Sequence, residues 1–188
     1  MDKKTLVHIA VFGSLWGIAE ATIGSTLHLL HLPLSGAILA SIGLGIILIA
    51  RTRIDANGSA ILMALIAASI KLLSFASIKL GPFIAIIMEG ACVEIILIIF
   101  KPGRMGFLLS GIFVSIYPIL QNIVTKSILF GSNFVAVILD LADGFSQKIG
   151  FNAGWWVLSL YVAAHFLITF SVVGFAWQLK KKLVNPKL

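Results

Sequence analysis

The chain has 188 residues, 60% of them hydrophobic and only 11% charged. A soluble domain carries about 25% charge and depends on it to stay dispersed, so this composition excludes a soluble globule and predicts an all-α polytopic membrane protein. Spans of about 20 residues with short loops account for most of the length, giving a single transmembrane domain over 1–188 with no room for a separate catalytic domain. The net charge of +7 comes from basic residues at the edges of apolar blocks, where positive residues hold cytoplasmic loops; it reads as topology and not as nucleic-acid binding. Cys92, the one cysteine, allows neither an intrachain disulfide nor a cysteine metal cluster.

Apolar blocks run from Leu6 to Leu30, Leu34 to Ala50, Ala60 to Ile78, Pro82 to Phe100, Met105 to Thr125 and Trp155 to Leu179, each near the length that crosses the hydrocarbon as helix. They predict a compact bundle of six transmembrane helices. Turn residues separate them: His31-Leu32-Pro33, the polar run Arg51 to Gly58, Lys79-Leu80-Gly81, Lys101-Pro102-Gly103-Arg104, and a longer stretch from Lys126 to Gly154. The start imitates a secretory signal, with Lys3-Lys4, an apolar run and Ala19-Glu20-Ala21, but apolar character resumes through Leu30 and the block is read as a span.

If the blocks alternate, Lys3, Lys4, Arg51, Arg53, Lys101, Arg104, Lys180, Lys181, Lys182 and Lys187 fall on one side and only Lys79, Lys126 and Lys148 on the other. This bias places both termini in the cytoplasm. Between the last two spans, Asn133 to Ile149 mixes apolar residues with Asp140, Asp143, Gln147 and Lys148, a pattern for a short helix on the outer face; a re-entrant segment is the competing reading. Trp155 and Trp156 fit the interfacial aromatic belt.

Chemistry has to be sought within the spans, where an ionisable side chain costs a few kcal/mol and turns toward protein, water or ligand. At 1.5 Å per residue, Glu20, Lys71, Glu89 and His165 fall within roughly 5 Å of the midplane, on its outer side. Gln121 and Asn122 follow nearer the outer surface, just after Pro118, which frees the carbonyl of Val114. Gly13, Gly17, Glu20, Gly24 and His28 form one stripe of the first span, and Ala60, Ala64, Ala67, Lys71 and Ser74 one stripe of the third. Lys71 thus lies on a close-packed face and needs a carboxylate or a ligand, with Glu20 and Glu89 as available partners. Glu94 lies about 140° around the helix from Glu89 and reads as a packing or coupling residue. A buried ion pair that ties helices together and binds nothing is the plainer reading of the same residues. His28 and His31, at an outer helix end, read as facing water.

There is no G-x-x-x-x-G-K-[ST] run, no H-E-x-x-H helix and no G-x-S-x-G elbow, so neither ATP hydrolysis nor the common hydrolase chemistries have a signature, and the chain is not read as an enzyme. His8 lies near the inner end and the other histidines outward, which argues against paired haem ligands. No cofactor or metal is expected.

Six compact spans in fewer than 200 residues, the small residues Gly13, Gly17 and Ala21, the absence of an ATP motif and polar groups toward the outer half resemble the substrate-capture (S) component of energy-coupling-factor (ECF) transporters. The segments Leu15-Trp16-Gly17-Ile18-Ala19-Glu20-Ala21-Thr22 and Pro82 to Gly90 are similar to membrane proteins of that general type. The resemblance implies capture of a small water-soluble nutrient, vitamin-like or a precursor, at the outer face of the inner (plasma) membrane. It also implies delivery through a transmembrane coupling subunit driven by two cytoplasmic ATPases. Glu20, Lys71, Glu89, Gln121, Asn122 and His165 would then hold substrate, while Gly13, Gly17 and Ala21 would contact the coupling subunit. The metal-uptake branch of the family uses a histidine directly after the initiator methionine; Asp2 stands there, which argues against nickel or cobalt. An ion-coupled carrier working alone and a noncatalytic membrane subunit with a purely structural polar layer are the rival readings.

Overall fold

The structure, a computed structural model, describes residues 1–30, 34–73, 80–130, 136, 139, 143, 144, 147 and 156–184. Within those residues it is all helical, with α1 Lys3–Leu29, α2 Ser35–Arg51, α3 Ser59–Leu72, α4 Leu80–Phe100, α5 Arg104–Phe130 and α6 Trp156–Val184. Four of these, α1, α4, α5 and α6, are long and apolar enough to cross a membrane, whereas α2 and α3 are shorter apolar helices of 17 and 14 residues. Most of the stretch expected to form an outer-face helix, Asn133 to Ile149, lies outside the described residues, as do Ser74, His31 and Trp155.

Local chemistry sets the helix ends. The Asp2 Oδ1 accepts the Thr5 amide hydrogen at 3.0 Å, capping an otherwise unpaired first-turn donor of α1. Hydrogen bonds from the Thr5 hydroxyl and amide hold the Asp2 carboxyl below the ordinary carboxylate range. Position 2 therefore serves as a helix cap. At the head of α3, Gly58 takes φ +85°, a left-handed conformation that a side chain would strain. Lys101 ends α4 in the same region at φ 55°, and Pro102 prevents the helix from continuing. Pro118 sits inside α5, which runs through it, as spans surrounded by other helices allow.

The helices form an open arc around a hub. α1 packs on α3, α3 on α4, α4 on α5 and α5 on α6, while α2 touches all five. The described parts of α1 and α6 do not meet. From Ala37 to Arg51, α2 is buried except at Ile38, Ile42, Ile46 and Ile49. Those four are spaced as one stripe of a helix, and a stripe is what an arc with a single gap leaves uncovered. A hub enclosed by protein has no need of a full lipid-crossing length.

Close approach depends on glycine. Gly13 and Gly17 of α1 lie against Met63, Ile66, Ala67 and Ile70 of α3; Gly90 of α4 lies against Ala60 and Ala64; and Gly43 of α2 lies under the Trp16 ring. Dispersion between closely packed backbones is a main source of helix association where lipid removes the hydrophobic driving force. The outward faces are apolar: in α1, Val7, Val11, Leu15 and Ile18 are each at least half exposed, while Trp16, Gly17 and Glu20 face inward. Apolar outside and polar inside is the arrangement of a membrane protein, because the bundle exterior meets hydrocarbon.

A Cβ on Gly17 would lie 2.8 Å from Ile70 Cβ and 3.0 Å from Ala67 Cα, whereas one on Gly174 meets nothing within 4 Å. Gly17→Ala is expected to lower stability by about 1–3 kcal/mol through overpacking. Gly174→Ala should leave thermal unfolding in detergent unchanged or slightly raised, since alanine favours helix by about 0.5–1 kcal/mol.

Candidate functional site

Glu20 and Lys71 meet where α1 packs on α3. Both are buried, and the Lys71 Nζ lies 3.6 Å from Glu20 Oε2. The ammonium also donates to the main-chain carbonyl of Glu20. Space for it comes from Gly24, one turn further along α1, where a Cβ would lie 2.7 Å from Nζ. The inward stripe expected for α1 is present at Gly13, Gly17, Glu20 and Gly24, all buried.

Glu89 enters from α4 and is 3% exposed. It lies within electrostatic reach of Glu20 and beside the Leu44 main chain of α2. Its Oε1 has no hydrogen-bond partner, and the indole of Trp16 stands one turn before Glu20, beside its carboxyl. From α5, Tyr117 lies within electrostatic reach of Glu89 and stacks on Phe113 at 5.4 Å. The result is a centre of two carboxylates, one ammonium and two aromatic side chains drawn from four helices around α2. Trp16 and Tyr117 escape a search for ionisable groups, although Trp16 precedes Glu20 by four residues and so had to share its face.

A second buried ionic cluster closes one end of the bundle. Glu94 accepts the Gly58 amide at 2.8 Å and the Ala60 amide at 2.7 Å, so its carboxylate caps α3 across the gap from α4. Arg51 Nη2 lies 3.6 Å from Glu94 Oε1. Arg51 Nη1 donates to the Ile54 carbonyl, the Ala56 carbonyl and the Ser59 hydroxyl, knitting the α2–α3 turn. Arg51 is therefore not a free juxtamembrane charge but a 4% exposed structural one. Helix-terminal amides, rather than a ligand, occupy Glu94.

The remaining candidates stand apart. The Gln121 Nε2 donates to the Gly81 carbonyl at 3.2 Å, tying α5 to the first turn of α4. Asn122 is half-buried beside it in sequence. His165 is buried on α6, where a ring nitrogen lies 3.0 Å from the Tyr161 carbonyl and the ring stands edge-on to Tyr161. One turn further on, Thr169 shares a 3.0 Å hydrogen bond with Ser41 of α2. With α2 as a ruler, His165 comes level with about Ala37, Lys71 Nζ lies beside Leu39, and Glu89 beside Leu44. The polar groups thus form a column spread over roughly 10 Å rather than a single layer. The structure brings Glu20, Lys71 and Glu89 together and leaves His165 and Gln121 outside that centre. Gly13 and Gly17 are covered by α3 of the same chain, so that stripe has no open surface for a coupling subunit, while Ala21 is half-buried. Among the described residues no three of His, Cys, Asp and Glu are grouped to hold a metal.

No family model, no curated protein and no solved structure matches the chain.

Removing one member of a buried ion pair costs about 3–5 kcal/mol because the other charge is stranded. Glu94→Ala should therefore cause a large fall in unfolding temperature, and Arg51→Met combined with Glu94→Leu should recover part of it. A double variant no better than Glu94→Ala alone would mean that the lost α3 cap, not the stranded arginine, carries the effect.

Proposed function

We propose that this chain is a membrane uptake protein that captures a small water-soluble nutrient and passes it across the inner (plasma) membrane. The observation that carries this reading is the buried Glu89 carboxylate, which has an unpartnered oxygen next to an ion pair already complete between Glu20 and Lys71. A polar layer serving only to hold helices together would be expected to balance its charges, because an uncompensated buried charge costs several kcal/mol. Intramembrane ionisable residues of this kind mark solute or ion pathways.

The finer reading is a bundle of six spans with both termini cytoplasmic. Contacts between Gly13 and Met63, Gly90 and Ala60, and Ser41 and Thr169 support helices alternating in direction. That alternation gathers Lys3, Lys4, Arg51, Arg53, Lys101, Arg104 and Lys180 to Lys182 at one end, the positive-inside pattern. In the manner of an S component, the chain would deliver its solute through an ATP-driven ECF-type complex with a coupling subunit and two ATPases. The covered Gly13–Gly17 stripe moves any such contact to another face. A second reading, an ion-coupled solitary carrier, is favoured by the same free oxygen of Glu89, which a proton would satisfy.

Cells expressing the protein should accumulate labelled nutrient, and Glu89→Gln, which strands no ion-pair partner, should abolish accumulation while the variant still purifies folded. Accumulation that falls on ATP depletion but survives an uncoupler supports the ECF-type route, and the reverse supports the ion-coupled carrier. No accumulation under any condition contradicts uptake. A green fluorescent protein fused after Leu188 should fluoresce and an alkaline phosphatase fused there should be inactive; active phosphatase contradicts the orientation.

A further inference from the structure

We infer that the captured solute is held through a protonated amine, with Glu89 as its counter-ion and the Trp16 and Tyr117 rings as its aromatic surroundings. This rests on the uptake reading above and narrows it to a substrate class.

The charge count around Glu89 comes first. On α1 the charged group facing the centre is Glu20, and on α3 it is Lys71, which Glu20 already holds at 3.6 Å. On α4 itself, Glu94 is committed to Arg51 and the head of α3. Between Ser35 and Ala50 in α2, and between Met105 and Thr125 in α5, the sequence has no charged residue. Among the described residues Glu89 thus has no cation of its own, and when ionised it takes up one further positive charge, a proton or a cationic group.

The free atom says which kind. Glu89 Oε1 is a buried acceptor with no donor. Leaving such an atom unpaired costs about 1–3 kcal/mol, so a ligand that pairs it recovers that free energy on binding. Hard metal cations are held by several oxygens at once, and among the described residues no three of His, Cys, Asp and Glu are grouped to hold one. A protonated amine needs less: it supplies the missing charge and donates to Oε1 in a charge-assisted hydrogen bond. Aromatic faces stabilise an ammonium group by cation–π attraction; the Trp16 side chain adjoins the Glu20 carboxyl, and Tyr117 lies within electrostatic reach of Glu89.

Methylammonium chloride titrated into the full-length protein in lipid nanodiscs provides the test, with sodium chloride and acetamide at matched concentration as controls. The expected result is saturable methylammonium heat with neither control matching it, and a loss of about tenfold or more in affinity for Glu89→Gln, as for removal of a charge-assisted hydrogen bond. The native chain offers a readout that needs no variant: methylammonium should protect Glu89 from a hydrophobic carbodiimide, as seen by peptide mass spectrometry. An equal response to sodium, binding unchanged in Glu89→Gln, or no protection of Glu89 would overturn the assignment. Accumulation of a neutral or anionic nutrient without methylammonium binding would sink the amine alone, whereas methylammonium binding without accumulation of any solute would uphold the amine and sink uptake.

Discussion

Charge inside hydrocarbon is the constraint from which the rest of this structure follows. A helix bundle with an apolar exterior can keep ionisable side chains only by turning them inward, and each must then find a partner within a few ångströms. Here Glu94 is answered by two α3 amides and by Arg51, the Arg51 Nη1 by turn carbonyls and the Ser59 hydroxyl, and Glu20 and Lys71 by each other, while the buried Arg51 Nε keeps no partner. Among the described residues Glu89 is the buried acid with no cation of its own, and the functional reading grows from that asymmetry.

Meeting the constraint requires helices to come close. Glycines at 13, 17, 43 and 90 bring α1, α2, α3 and α4 within backbone distance, and Gly24 leaves the volume that the Lys71 ammonium fills. The hub position of α2 has the same origin. With Gly43 and Gly45 facing Trp16 and Val172, α2 lies against both α1 and α6 while those helices remain apart. Its half-buried isoleucine stripe marks the side least covered by the described helices.

Much of this could be read from the residues in order. Apolar blocks and their punctuation locate the starts of the described helices to within about three residues and their ends to within about six, because span length and turn chemistry act locally. The inward stripe of α1 follows from the spacing of Gly13, Gly17, Glu20 and Gly24, and the pairing of Lys71 with Glu20 from the cost of leaving a lysine alone. What stayed hidden depends on which helices are neighbours. Arg51 reads as a loop charge until α4 is known to bring Glu94 to the head of α3. Gly13 and Gly17 read as an open contact surface until α3 is known to cover them. The depth of His165 against Glu89 is fixed by the register of α6 and α4 on α2, which no local pattern encodes.

The account is tested most directly by high-resolution electron cryo-microscopy of the protein purified in native lipid, with attention to the Glu89 carboxylate. Non-protein density within hydrogen-bond distance of Oε1, between α4, α1 and α5, is the result it predicts. A Glu89 carboxylate fully bonded to protein groups in solid apolar packing would contradict it and return the polar centre to a purely structural role.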